Sequence, residues 1–159
     1  MDEHNVVELL SSGFGEYGAA AVGSAHEMAV KQHEGQTYGD SPYLDHVCEV
    51  AMSVKQLGYK FVVVALLHDV VEDTDVGLDE IDQMFGPIIA QSVDAITRRQ
   101  GEVYFEEYIP RVMLNYIAMH VKLADATYNL AQDGKPELNV RYEHVIDLIG
   151  PQIILANEG

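Results

Sequence analysis

A histidine–aspartate pair closes the most apolar stretch of the sequence. His68 and Asp69 directly follow residues 61–67, the longest apolar run in the chain. Burying an imidazole beside a carboxylate is costly unless the two groups are paired, hydrogen-bonded or bound to a metal ion. Together they are suitable ligands for Mn, Fe, Zn or Mg-like ions. Taken alone, the pair also fits a buried histidine that is satisfied by its neighbour.

Two further acids follow this pair at helical spacing. Glu72 lies four residues after His68, and Asp73 lies four residues after Asp69. On a helix each pair would share one face. Acids at the C-terminal end of a helix oppose its dipole, and a nearby cation would relieve that repulsion. The alternative interpretation is a solvated helix end.

Two distant segments supply further candidate groups. His46 lies upstream, and Asp125 lies far downstream with Lys122 three residues before it and Asn129 four residues after it. Lys122, Asp125 and Asn129 would share one helix face. Judged in isolation, His46 fits a surface histidine at a loop end, and Asp125 fits a salt bridge with Lys122.

The elements that would position these residues are nearly all helical. Apolar spacings of three and four predict helices at residues 18–33, 43–57, 61–71, 79–85, 87–99, 104–115, 116–131 and 139–149. Residues 62–64 also fit a buried strand. We prefer a helix there because no second strand-like run could pair with it and the following Ala65-Leu66-Leu67 favours helix. The prediction is one all-α domain over residues 1–159, a compact bundle of about seven or eight helices.

Composition and charge limit the partners of the protein. The 26 acidic and nine basic residues give a formal charge of −17, which argues against binding to nucleic acid or to an anionic membrane. A polyanionic substrate would therefore need a bound metal ion. The chain is 48% hydrophobic and 22% charged, as in a folded domain rather than a disordered tail. The lone Cys48 excludes an internal disulfide and is expected in the core.

The sequence also lacks the usual targeting signals. The first five residues carry no basic region, and the longest apolar run is too short to span a bilayer. We therefore expect a cytoplasmic location.

The series His46, His68-Asp69 and Asp125 resembles the HD superfamily of metal-dependent phosphohydrolases. The resemblance is closer still to the hydrolase domain of the (p)ppGpp synthetase/hydrolases and their small stand-alone relatives. It is carried by PYLDH at residues 42–46, ALLHDVVEDT at 65–74, FG at 85–86 and KLAD at 122–125, and it spans about residues 20–130. An HD dipeptide alone is nonspecific, whereas HDVVEDT followed by KLAD at this distance is specific.

The resemblance implies an all-helical HD domain that binds one divalent metal ion, typically Mn(II). The ligands would be His46, His68, Asp69 and Asp125. Glu72 and Asp73 match the acids assigned to water activation and proton transfer, and Asn129 matches a substrate contact. We add Lys122 as a candidate phosphate contact and Tyr43 as a candidate for stacking on a base, although a salt bridge and a core position are their ordinary roles.

The substrate-binding positions depart from the family pattern. Residues 36–42 lack the basic pair that helps the alarmone hydrolases to hold their nucleotide. Ala126 replaces the arginine that usually follows the aspartate of KLAD, and the threonine expected soon after Asn129 is absent. Other candidates for phosphate contacts are Arg98, Arg99, Arg111, Lys135 and Arg141, each of which could equally form an ordinary salt bridge. His33 is expected either to support a metal ligand by contact or to anchor the loop that follows it.

We therefore predict a phosphohydrolase that acts on a small-molecule nucleotide, such as a guanosine 3′,5′-bis(diphosphate)-type alarmone, with a metal-activated water as nucleophile. The partners include neither nucleic acid nor a membrane, and homo-oligomers are compatible with the sequence. The alternative is a catalytically degraded sensor on the same fold that binds metal or nucleotide.

Overall fold

The computed structural model describes residues 2–132 and 136–158 of the chain. The helices are α1 (Glu3–Ser11), α2 (Gly15–Gln32), α3 (Tyr43–Val54), α4 (Tyr59–Leu67), α5 (Val70–Asp73), α6 (Leu78–Phe85), α7 (Pro87–Ile96), α8 (Ile109–Met113), α9 (Tyr116–Ala131) and α10 (Pro136–Glu158). A 3₁₀ turn, Lys55–Leu57, follows α3, and a π-helical turn, Tyr104–Tyr108, precedes α8. Strands β1 (Thr37–Tyr38) and β2 (Ser41–Pro42) form a short antiparallel hairpin. The predicted all-α class is confirmed.

Helix α4 lies at the centre of the bundle. Its side chains from Val62 to Leu67 are fully buried, and it packs against α2, α3, α7 and α9. A helix that is covered on every side has a continuous apolar sequence, and its periodicity is therefore weak. This explains why residues 62–64 also fitted a buried strand. The helix predicted there is confirmed. His68 and Asp69 directly follow its C-terminal end and lie in the interior of the bundle.

Helix α9 lies beside α4 and has the bounds predicted from the sequence. Asn115 caps its first turn, because the side-chain oxygen accepts a hydrogen bond from the backbone N–H of Ala118 at 2.9 Å. Its contacts with α3 and α4 bring Lys122, Asp125 and Asn129 close to the end of α4.

Helix α7 ends three residues earlier than predicted. Thr97 leaves the helical conformation, with φ −86° and ψ 118°, while its hydroxyl donates to the carbonyl oxygen of Val93 at 2.6 Å. Arg98 and Arg99 therefore lie beyond the helix, and the backbone N–H of Arg98 points to Glu72 at 3.4 Å.

The two ends of the chain differ most from the prediction. Helix α1 was not predicted. Helix α10 is longer than the predicted 139–149 and continues through Pro151. Gly150-Pro151 is a usual stop signal, but Val145, Ile149 and Ile153 are buried at intervals of four, and this burial favours continuation. The predicted stop of α9 at residues 133–134 lies outside the described residues.

Cys48 is buried in the core, as expected. Within residues 2–132 and 136–158, the helices are all too short or too polar to cross a membrane.

Candidate metal centre

The four predicted ligands meet at the centre of the bundle. His46 comes from α3, His68 and Asp69 come from the junction of α4 and α5, and Asp125 comes from α9. One ligand atom from each of His46, His68 and Asp69 lies within 4.8 Å of the other two. Asp125 Oδ1 lies 3.0 Å from His46 Nε2 and 3.5 Å from His68 Nε2. Both histidines and Asp125 are buried, and Asp69 is partly exposed.

A break between α4 and α5 allows neighbouring residues to reach one point. On a continuous helix the side chains of His68 and Asp69 would point about 100° apart. The helix is interrupted at these two residues, and His68 Nε2 lies only 3.0 Å from Asp69 Oδ2. The backbone N–H of Asp73 then donates to the carbonyl of Asp69 at 2.9 Å, which starts the single turn of α5.

The imidazole of His68 is oriented as a metal ligand. Its Nδ1 lies 2.6 Å from the carbonyl oxygen of Ala65, which can only accept a hydrogen bond, so Nδ1 carries a proton. Its Nε2 is buried without an aligned hydrogen-bond partner and faces the oxygens of Asp69 and Asp125. A positive charge, either a proton or a metal ion, must lie between these atoms. A histidine that donates its other N–H to a backbone carbonyl is a common arrangement at metal sites, and the donor set therefore fits a divalent ion.

The electrostatics of the cluster favour charged carboxylates. Burial by itself raises the pKa of Asp125, but its contacts with His46 and His68 and the charge of Lys122 hold that pKa well below its usual range. Burial also opposes ionisation of Asp69, and the charge of His68 outweighs it, so that the pKa of Asp69 is lowered. Lys122 Nζ lies 3.5 Å from Asp125 Oδ2. Ionised carboxylates are the form that binds a metal ion.

Tyr43 contacts the cluster through a hydrogen bond to Asp69. Its hydroxyl donates to Asp69 Oδ2 at 2.5 Å, and its ring packs against His33 and His46 with centroids 4.9 and 5.4 Å apart. Burial and the charge of Asp69 raise the pKa of Tyr43, so the phenol keeps its proton. Stacking of the Tyr43 ring on a base stays a prediction, and the structure adds a contact of its hydroxyl with a candidate ligand. The predicted anchoring role of His33 agrees with its Nδ1 contact to Gln36 Oε1 at 2.9 Å.

Removing the Tyr43 hydroxyl is expected to weaken metal binding. Partners that orient a ligand are typically worth about 10- to 100-fold in metal affinity, and we expect Tyr43→Phe to fall near the lower value. Competition with a chromogenic chelator measures this change. Tyr17→Phe is the matched control, because Tyr17 lies on the exposed face of α2, away from the cluster. Equal Mn(II) affinities for Tyr43→Phe and the wild type would contradict this role.

Tyr38 is a contributor that the sequence did not reveal. Its ring stacks on His46 with centroids 4.7 Å apart and an angle of 9°, and its hydroxyl donates to Asn129 Oδ1 at 2.5 Å. Asn129 in turn donates from Nδ2 to Asp125 Oδ1 at 3.2 Å. The hairpin is thereby connected to two candidate ligands. The only sequence signal was an aromatic residue in a polar loop shortly before His46.

A cavity of about 200 Å³ opens beside the cluster. Its wall includes His68, Asp69, Asp125, Glu72, Asn129, Lys122, Arg98, Arg141, Tyr104, Tyr108 and Tyr142. The structure therefore brings three predicted functional residues, Glu72, Lys122 and Asn129, to the candidate metal centre. The tyrosines were missed, because their positions depend on how the π-helical turn and α10 pack against α9.

The two predicted catalytic acids share one cavity, and Glu72 also lines a second one. Glu72 lines the 200 Å³ cavity, and burial raises its pKa against the opposing effect of the Arg98 N–H. Asp73 and Glu72 both line a neighbouring cavity of about 430 Å³, together with Gln32 and Gln36. The pKa of Asp73 is raised by burial and by the charge of Asp69. Only Glu72 therefore shares a cavity with the candidate ligands.

The other candidate cations separate into two groups. Arg99 pairs with Asp94 at 3.3 Å, and Arg111 Nε pairs with Glu102 at 2.6 Å, which are ordinary salt bridges. Arg98 and Arg141 instead line the cavity beside the cluster. Lys135 lies outside the described residues.

A second cavity of about 630 Å³ reaches the cluster from the side of the hairpin. Its wall includes Tyr38, His46, Tyr128 and Gln132 from the hairpin, α3 and the end of α9. His46 thus lies between this cavity and the other candidate ligands.

Comparison with known proteins gives consistent matches. The HD domain family matches residues 25–132. The bifunctional (p)ppGpp synthase/hydrolase SpoT of Escherichia coli K12 is 32% identical over 123 residues, which cover 69% of this chain and 18% of SpoT. The guanosine-3′,5′-bis(diphosphate) 3′-pyrophosphohydrolase MESH1 of Danio rerio is 33% identical over 116 residues, which cover 65% of this chain and 63% of that protein. The chain thus spans less than a fifth of the length of SpoT.

A solved structure shares the fold. It is that of a metazoan orthologue of SpoT, described as hydrolysing ppGpp, and it aligns with a TM-score of 0.67 and 24% sequence identity. The alignment covers 82% of this chain and 83% of the other. At this identity the likeness is one of fold.

Proposed function

Because the chain belongs to the HD domain family, we propose that it is a divalent-metal-dependent phosphohydrolase. The proposed metal ligands are His46, His68, Asp69 and Asp125. The observation that carries the proposal is the buried imidazole–carboxylate cluster, which shares one cavity with a carboxylate, Glu72, and with three cationic side chains. We further propose Mn(II) as the metal, because a mixed imidazole and carboxylate set accommodates it.

The side chains have complementary roles in this proposal. A divalent ion held by the cluster would supply Lewis-acid catalysis. Glu72 accepts the proton of the attacking water and returns a proton to the leaving oxygen. A raised pKa suits a group that must gain and then lose a proton. Asp73, which faces the adjoining cavity, assists by its charge and by holding water. Together with His46 and His68, Lys122 favours the ionised form of Asp125.

The proposed substrate is a nucleotide. The cluster lies between a cation-lined cavity of about 200 Å³ and a cavity of about 630 Å³ that is bordered by Tyr38 and Tyr128. The larger volume falls within the range of about 300–1,000 Å³ typical of small-molecule sites. This arrangement suits a phosphate chain in the first cavity and a nucleoside in the second. Asn129 is the proposed substrate contact at the boundary, and its contacts with both Tyr38 and Asp125 support this role.

The names of the relatives identify the first substrate to test. SpoT is named as a (p)ppGpp synthase/hydrolase and MESH1 as a guanosine-3′,5′-bis(diphosphate) 3′-pyrophosphohydrolase. We propose the same reaction class here. Water forms a bond to the phosphorus attached to the 3′ oxygen, the bond from that phosphorus to the 3′ oxygen breaks, and the 3′ oxygen takes up a proton. The products are pyrophosphate and a nucleotide with a free 3′ hydroxyl.

The test uses the full chain loaded with Mn(II). We expect release of pyrophosphate from guanosine 3′,5′-bis(diphosphate), and we would assay nucleoside 3′-monophosphates in parallel for release of phosphate. Omission of the metal is the control. If no nucleotide is hydrolysed at full metal occupancy, the proposal is rejected. Calorimetric binding of a nucleotide without turnover would then support the alternative, a sensor on the same fold.

A further inference from the structure

Three of the nine basic residues converge on one aromatic ring. The charged groups of Arg98, Lys122 and Arg141 lie 5.3, 5.7 and 4.5 Å from the ring centroid of Tyr104. They come from the segment after α7, from α9 and from α10. In a chain with 26 acids, such a concentration of positive charge in a small cavity requires an explanation. Each cation gains a favourable cation–π contact with the ring. These contacts do not remove the electrostatic repulsion between the three cations.

The two arginines have no carboxylate partner within residues 2–132 and 136–158. The guanidinium of Arg98 donates to the backbone carbonyl of Glu102 at 3.0 Å, and that of Arg141 rests on Tyr104. Arg99 and Arg111 differ, because each of them pairs with an acid. Lys122 is also paired, with Asp125. Arg98 and Arg141 therefore retain charge and N–H groups that can bind an anion.

The position of these arginines identifies the anion. They share the cavity of about 200 Å³ with Asp69 and Glu72, so an anion bound to them lies next to the reacting group. This volume is below the range of about 300–1,000 Å³ usual for drug-sized ligands, and it suits phosphate groups without their nucleoside. Guanidinium groups match phosphate oxygens in geometry and form two parallel hydrogen bonds with them.

We propose that Arg98 and Arg141, both seated on Tyr104, bind the terminal phosphate of the substrate's diphosphate, and so select diphosphate esters over monophosphate esters. The inference rests on the proposed function and assigns the specificity of the same site to named residues. Residues 36–42, which include the hairpin, contain no basic residue. In this proposal Arg98 and Arg141 therefore supply the positive charge that binds the phosphate.

Inorganic pyrophosphate tests this inference without turnover. Calorimetry on the Mn(II)-loaded full chain compares pyrophosphate with orthophosphate. For Arg141→Gln and Arg98→Gln we expect pyrophosphate affinity to fall about tenfold each, as for loss of a charged hydrogen bond, with little change for orthophosphate. Arg141→Lys should be intermediate. Arg99→Gln is the matched control, since Arg99 pairs with Asp94 outside the cavity, and it should bind like the wild type.

Kinetics provide the second measurement. In the arginine variants we expect a higher KM for the diphosphate ester at a nearly unchanged kcat, and unchanged constants for a monophosphate ester. Wild-type pyrophosphate affinity in both Arg98→Gln and Arg141→Gln would overturn the inference. If pyrophosphate binding depends on the arginines but no nucleotide is hydrolysed, the proposed function fails and the assignment of the anion site stands.

Discussion

Asp125→Asn is expected to abolish Mn(II) binding and, with it, hydrolysis. Asp125 contacts His46 and His68 and is the counter-charge of the largely buried Lys122. Substituting an amide removes one anionic ligand and leaves the lysine unpaired. Loss of one partner of a buried ion pair costs about 3–5 kcal/mol, so the free energy of unfolding should also fall. Metal analysis of the dialysed protein and denaturant unfolding measure the two effects.

A double variant separates the two effects. Asp125→Asn combined with Lys122→Met removes the unpaired charge, so it should regain part of the lost stability while metal binding stays absent. Asp94→Asn is the surface control, because its partner Arg99 is exposed and such pairs contribute about 0–1 kcal/mol. Wild-type Mn(II) affinity in Asp125→Asn would remove Asp125 from the ligand set.

Glu72→Gln is expected to lower kcat by about 10²- to 10⁴-fold, the usual contribution of a general acid–base group. Glutamine keeps the size and the hydrogen bond from the Arg98 N–H but cannot accept a proton from water. Mn(II) affinity should stay near that of the wild type, because Glu72 is not among the proposed ligands. Steady-state kinetics and the chelator titration give kcat and metal affinity for the same preparation.

Asp73→Asn provides the comparison for Glu72→Gln. Asp73 faces the cavity next to Gln32 and Gln36, so we expect a smaller loss of kcat than for Glu72→Gln. Glu80→Gln, at an exposed position on α6, should leave kcat and Mn(II) affinity unchanged. A larger loss in Asp73→Asn would reverse the assignment of the proton acceptor.

The residues of the candidate metal cluster were predicted mainly from the resemblance to the HD superfamily, because local signals left a surface histidine at His46 and a salt bridge at Asp125 as alternatives. His68 and Asp69 stand out as ionisable groups at the end of an apolar helix, and the spacing of Lys122, Asp125 and Asn129 defines one helix face. The break between α4 and α5 was not predictable, because the sequence there is compatible with a continuous helix. Glu72 and Asp73 both lie on α5 after the break, and of the two only Glu72 reaches the cavity that the candidate ligands line.

The cationic part of the cavity depends on long-range packing. Tyr104 and Arg141 are far apart in sequence, and their meeting requires the π-helical turn and the placement of α10 against α9. Arg141 was a candidate by residue type only. Nothing in local spacing distinguishes it from Arg99 or Arg111, which form surface and half-buried salt bridges.

The contacts of Tyr38 also constrain how this protein could acquire another substrate. The hairpin turns at Gly39, whose φ of 60° favours glycine, and it holds Tyr38 against His46 and Asn129. A loop exchange that removes Tyr38 would remove the ring that packs on a candidate ligand. Such an exchange would change the metal centre together with the charge of the nucleotide pocket. We therefore expect variants of this chain with a new hairpin to need compensating changes around His46.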